Sequence, residues 1–146
     1  MKTLIAAAAA VVLAGPLSAG GETQSNPDAR VYFANLSDGD MVASPVTVVF
    51  GLSGMGVAPA GTEKDNTGHH HLLIDRPALG LGEDGEDELS NGIPSDENHR
   101  HFGGGPTEVT VDVAPGVHTL QLVLGDYGHV PHDKPIVSQV ISVTVK

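Results

Sequence analysis

The sequence predicts an all-β fold, an antiparallel β-sandwich of about seven strands. Apolar residues recur with a period of two, in short runs. Those runs are bounded by Gly, Pro, Asn and Asp, which number strongly in a chain with Gly 19 and Pro 10 among 146 residues. Beyond the N-terminal segment no stretch carries a convincing helical period.

The chain begins Met1-Lys2-Thr3, followed by an apolar run from Leu4 to Ala14 and the small-residue stretch Gly15-Pro16-Leu17-Ser18-Ala19. A charged start, a short apolar centre and small residues at the end are the parts of a secretory signal peptide, assigned to 1–19 and excluded from the fold. The apolar run is too short for a bilayer core of ~30 Å, and no other stretch is longer, so no membrane span is expected after cleavage. The expected location is periplasmic or secreted. Residues 20–29 read as a flexible N-terminal segment, and 30–146 as one β-sandwich domain with an acidic loop at 79–98.

Within that domain the first strand is Val31 to Ala34, ended by the turn-forming Asn35-Leu36-Ser37-Asp38-Gly39-Asp40. The second is Val46 to Phe50, followed by a Gly/Pro loop from Gly51 to Gly68. The third runs from His69 to Asp75, and a weak fourth is placed near Ile93. The fifth is Glu108 to Val113, closed by the Pro115-Gly116 turn. In the sixth, His118 to Leu124, the side chains of Leu120, Leu122 and Leu124 share one face. The seventh is Ile136 to Val145. This count, with turn signals between the strands and a length near one Ig domain, indicates a sandwich of the Ig or fibronectin type III kind.

Composition narrows the function. Lys and Arg number 7 against 18 Asp and Glu, a formal charge of −11, which argues against nucleic acid or anionic lipid as partner. There is no cysteine, so an exported chain has no disulfide framework and any metal site must use nitrogen, oxygen or thioether ligands. The acidic run Glu83 to Glu88 lacks the ligand spacing of a calcium loop and reads as a solvated, mobile loop. Gly103-Gly104-Gly105 is followed by neither Lys nor a helix, so it is not a phosphate loop. No Ser/His/Asp or paired-carboxylate arrangement supports a hydrolase, and the chain reads as a binding protein rather than an enzyme.

All 8 histidines lie between His69 and His132. Imidazole is the commonest protein ligand for borderline transition metals. In the sandwich topology, His69 to His71, the pair His99 and His101, and the pair His129 and His132 map to connections at one end, with His99 and His101 dependent on the fourth strand. His118 maps to the other end, where a structural role at a corner is expected. His69 and His71, two residues apart on a strand, point to one face and His70 to the other. The candidate metal ligands are therefore His69, His71, His129, His132, His99 and His101. His70, Met55, Asp126 and Asp133 are secondary candidates, the two carboxylates as ligands or as partners that orient an imidazole. Copper or zinc is the implied ion, and protons should compete for the site in acid.

Gly68-His69-His70-His71-Leu72-Leu73-Ile74-Asp75, His99-Arg100-His101-Phe102-Gly103-Gly104-Gly105, His118 to Asp126 and His129-Val130-Pro131-His132-Asp133 together resemble a bacterial family of small exported proteins, the domain of unknown function forty-three ninety-nine. The likeness spans Val31 to Lys146, with a longer and more acidic insertion at Leu79 to Asn91. It implies an exported domain and assigns no activity. Three function classes are consistent with these observations. The first is a metal-binding protein that buffers, stores or transfers copper or zinc, with a periplasmic acceptor as partner. The second is a cell-envelope module that binds protein or glycan, its histidines being structural. The third is a copper-dependent oxidoreductase.

Overall fold

The computed structural model describes residues 21–146; the expected signal peptide lies outside them. The elements are β1 (Arg30–Phe33), β2 (Met41–Val42), β3 (Val46–Ser53), β4 (Gly56–Val57), β5 (Thr67–Ile74), α1 (Gly85–Ser90), β6 (His99–His101), β7 (Glu108–Val111), β8 (Gly116–Gly125), β9 (Pro131–Val137) and β10 (Ile141–Val145). Two sheets face each other. One has the order β1-β3-β7; the other runs β2-β10-β8-β5-β4, with β6 added beside β5 and β9 beside β8. First, second and fifth expected strands thus oppose the seventh, sixth and third, the partition of an Ig-type sandwich. The pairings are antiparallel except for the two-residue β2 and β4, which run parallel to β10 and β5.

Strand alternation builds the core. Val46, Val48 and Phe50 of β3 turn inward, as do Leu72 and Ile74 of β5, Leu120, Leu122 and Leu124 of β8, and Val143 and Val145 of β10. Strand β5 departs from the one-sided rule: every residue from Gly68 to Ile74 is buried. Its outer face is covered too, by a second apolar cluster of Leu73, Val123 and Ile93 with Leu79 against it. The acidic loop 79–98 supplies Leu79 and Ile93, and so folds over the outer face of the larger sheet.

Three local expectations are corrected here. No strand forms near Ile93; the fourth position is empty, and β6 instead extends the larger sheet from the edge of β5. The acidic run is not a free loop, because Gly85–Ser90 is helical, with Glu86, Asp87 and Glu88 in the first turn, where carboxylates offset the helix dipole. Glu88 is only 2 % exposed and is held by Arg76 Nη2 at 3.1 Å, His99 Nε2 at 3.0 Å and the backbone N–H of Gly80 at 3.2 Å. The expected last strand is also split into β9 and β10. Between them the Ser138 hydroxyl accepts the Leu122 N–H at 2.8 Å and donates to the Gln139 carbonyl at 2.8 Å, replacing ladder bonds locally. Among the described residues no helix is long and apolar enough to cross a membrane.

Candidate metal centre

The centre is assembled on the outer face of the larger sheet. On β5 the pleat sends His69 and His71 to that face, and their Nε2 atoms stand 3.1 Å apart. Strand β6 pairs with β5 in the register His71↔His101, which sets the His101 ring beside His71 with centroids 5.1 Å apart. On the other side, β8 pairs with β5 in the register His69↔Gly125. A Cβ at Gly125 would lie 2.8 Å from His71 Nε2, and one at Gly103 would lie 2.6 Å from His101 Nε2. The two glycines leave the room that the imidazoles occupy.

The fourth imidazole comes from the hairpin loop between β8 and β9. His129 Nδ1 lies 3.1 Å from His69 Nε2. Its ring stands nearly perpendicular to those of His69, His71 and His101, at 83°, 84° and 81°. His129 itself has φ 69, in the left-handed region. The turn is fixed by Asp126, whose Oδ1 accepts the N–H groups of Gly128 at 2.8 Å and Val130 at 3.0 Å. The Ile93 N–H donates to the His129 carbonyl at 2.9 Å, so the acidic loop 79–98 also braces the hairpin loop.

One nitrogen from each of His69, His71, His101 and His129 lies within 4.8 Å of the other three. A tetrahedral ion with bonds of 2.0–2.1 Å sets its nitrogens about 3.4 Å apart, so modest rotations of the rings complete the shell. Electrostatics favour the ligand form. Burial, aided by the neighbouring imidazoles, pushes His71 down to about 2 and His69 to about 4. Burial and His129 lower His101 as well. These rings are neutral near pH 7 and offer lone pairs. Each N···N contact of 3.1 Å takes a single proton, and His69 Nε2 makes two such contacts. The Nδ1 atoms of His69 and His71 and Nε2 of His101 are buried without a protein partner.

The other candidates lie elsewhere. His99 shares the outer face with His101, but Asp96 takes its Nδ1 at 2.9 Å and Glu88 its Nε2 at 3.0 Å, so both its nitrogens are occupied. His132 is buried, with Nε2 donating to the Thr67 carbonyl at 3.3 Å. His70 faces the core and stacks on Phe50 at 4.5 Å; burial pushes it down to about 4. Met55 packs against the main core. Asp126 and Asp133 are clasps rather than members of the cluster. Asp126 Oδ2 accepts the Thr23 hydroxyl at 2.6 Å, and Asp133 Oδ1 accepts the Ser25 N–H at 2.8 Å and the Ser25 hydroxyl at 3.0 Å. His118 bonds Asp75 at 2.7 Å and the Ala114 carbonyl at 2.8 Å, far from the centre along β8.

Sequence reasoning passed over Gly125 and Gly103 as parts of the site, and over Glu88. A glycine directly opposite a strand histidine was the available signal for the first, but it becomes visible only with the register. No curated protein and no solved structure shows significant similarity to the chain. Residues 48–146 match the family model of the domain of unknown function DUF4399, a shorter span than the resemblance from Val31 onward but one that holds every histidine. That match covers more than half of the chain, which therefore belongs to the DUF4399 family.

Proposed function

We propose that this is an exported protein that binds one transition-metal ion, copper or zinc, at His69, His71, His101 and His129, for buffering, storage or transfer. The observation that carries the reading is the convergence of four buried or half-buried imidazoles within 4.8 Å. An all-nitrogen, thiolate-free set suits Cu(II) and Zn(II), and the affinity order among divalent ions favours copper. Four protein ligands fill a tetrahedral shell, whereas catalytic zinc sites keep one position open. This supports binding over the copper-dependent oxidoreductase reading.

Untagged protein titrated with Cu(II) or Zn(II) in a calorimeter should take up about one ion per chain at neutral pH. Absence of saturable heat with either ion rejects the proposal. A second reading, an envelope module binding protein or glycan, draws on one feature. A groove of about 710 Å³ lies between β1 and β9, with Val31, Tyr32, Phe33, Ile136 and Val137 among its lining residues. It gains if metal titrations are silent.

A further inference from the structure

We infer that the N-terminal segment Gly21–Ser25 is a working part of the metal centre, a strap that latches the loop carrying His129, and that Asp126 is the positioning residue through which it acts. The inference rests on the reading of the four imidazoles as a metal site. Three of them are held by strand ladders, in registers fixed by β5, β6 and β8. His129 alone is borne by a loop, and in a left-handed conformation that a residue with a side chain keeps only when its surroundings impose it. The shape of that loop therefore decides whether the fourth nitrogen is in place.

Backbone bonds from the Asp126 N–H to the Val130 carbonyl at 2.8 Å and from the His129 N–H to the Asp126 carbonyl at 3.1 Å close the turn, and one carboxylate ties it to the rest of the molecule. Asp126 is 5 % exposed, and its Oδ1 gathers the N–H groups on either side of His129, from Gly128 and Val130. Its Oδ2 accepts the Thr23 hydroxyl at 2.6 Å, from a residue 103 positions away in the chain. The strap is then fastened along the loop and into β9. The Gly21 N–H donates to the Pro131 carbonyl at 2.7 Å, and the Asp133 N–H donates to the Thr23 carbonyl at 2.9 Å. The approach is close enough that a Cβ at Gly21 would meet Val130 Cγ1 at 2.7 Å. Part of the stretch expected from sequence to be a flexible N-terminal segment thus lies against the loop that carries His129. With the Thr23 bond broken, Asp126 is held only by the loop it has to shape.

The test uses the full chain with Zn(II) as probe, in the variants Asp126→Ala, Asp126→Asn and Thr23→Val. Asp126→Ala should weaken Zn(II) binding about 10–100-fold, the range usual for groups that orient a ligand. Asp126→Asn keeps an oxygen for the two loop N–H groups and should restore most of that loss. Thr23→Val leaves those loop bonds in place and should speed Zn(II) dissociation about tenfold. In the metal-free protein, imidazole 15N spectra should show the His69–His129 hydrogen bond broken in Asp126→Ala and kept in Asp126→Asn, a rescue that a merely structural role would not produce. Wild-type affinity and unchanged His129 resonances in Asp126→Ala overturn the positioning role. An unchanged dissociation rate in Thr23→Val overturns the strap, and decides it even if Asp126→Ala does not fold. If the wild-type chain takes up neither Zn(II) nor Cu(II), the metal reading fails, while the metal-free spectra still decide what Asp126 does.

Discussion

His69 with His71, and His99 with His101, are the same His-x-His pattern on two strands that pair with each other, and they have different fates. On β5 both imidazoles face a neighbour without a carboxylate, and their nitrogens meet other nitrogens. On β6 the two residues share a face, but His99 sits at the level of Leu73, where Glu88 and Asp96 take both its nitrogens. His101 sits one step along, at the level of His71, and enters the cluster. The spacing puts two rings on one side of a strand. What stands opposite each ring decides whether it is a ligand or a brace.

The sharpest way to break this contrast is His71→Leu. It should weaken Cu(II) or Zn(II) binding by more than the ~100-fold typical of losing an orienting group. Because His71 is fully buried with an unpartnered Nδ1, the metal-free fold should hold its stability or gain about 1 kcal/mol in urea unfolding. The complementary change, His99→Ala, should do the reverse. It leaves the buried Glu88 with only Arg76 and the Gly80 N–H, so stability in urea unfolding should drop by about 2–4 kcal/mol while metal uptake persists. Metal loss in His99→Ala, with the fold intact, would show that the two pairs are one unit.

Acid titration sharpens the comparison further. The values of about 4 for His69 and about 2 for His71 lie below the ordinary imidazole value of 6.5. Proton competition at these two imidazoles therefore sets in only as pH falls toward 4, and calorimetry should find that lowering the pH to 6.5 costs the proposed site little affinity through them. The metal-free fold behaves otherwise. As pH falls from 6.5 to about 4 the unfolded chain binds protons that the folded His69 and His71 refuse, and His71 goes on refusing its proton down to about 2, so stability should decline steadily over that range. The smallest effect belongs to His118, which its hydrogen bond with Asp75 raises above the ordinary value. Its contribution is complete below 6.5 and is lost as pH rises through the folded value, so His118→Ala should cost less than ~1 kcal/mol, with the gap to wild type closing in alkali.

Much of this was legible in the residues. Period-two runs locate β1, β3, β5, β7 and β8, and strand geometry alone turns His69 and His71 to one face. The hairpin after β8 brings His129 near β5 because those strands are neighbours in such sandwiches. The rest depends on contacts between distant segments. His101 reaches the centre through a three-residue edge strand with little apolar content to announce it. Glu88 sits in a run that composition marks as solvated, yet its carboxylate is matched by Arg76 and His99 once the helix forms. Asp126 and Asp133 have the chemistry of ligands, and only the path of the N-terminal segment shows them spent on backbone and hydroxyl groups.

The acidic loop 79–98 over the outer face is fastened apart from the main core and is expected to open on a time scale of its own. It is anchored by a small apolar cluster and by the bonds of Glu88, apart from the interior between the sheets. Such a segment can open locally while the sandwich stays whole, because regions with little buried apolar surface detach at lower free energy than the global core. When it opens, the Ile93 bond to His129 goes with it. If the four imidazoles hold an ion as proposed, its exchange is expected to follow the breathing of this cover together with the Thr23 latch, while the lifetime of the fold follows the leucine- and valine-filled interior beneath.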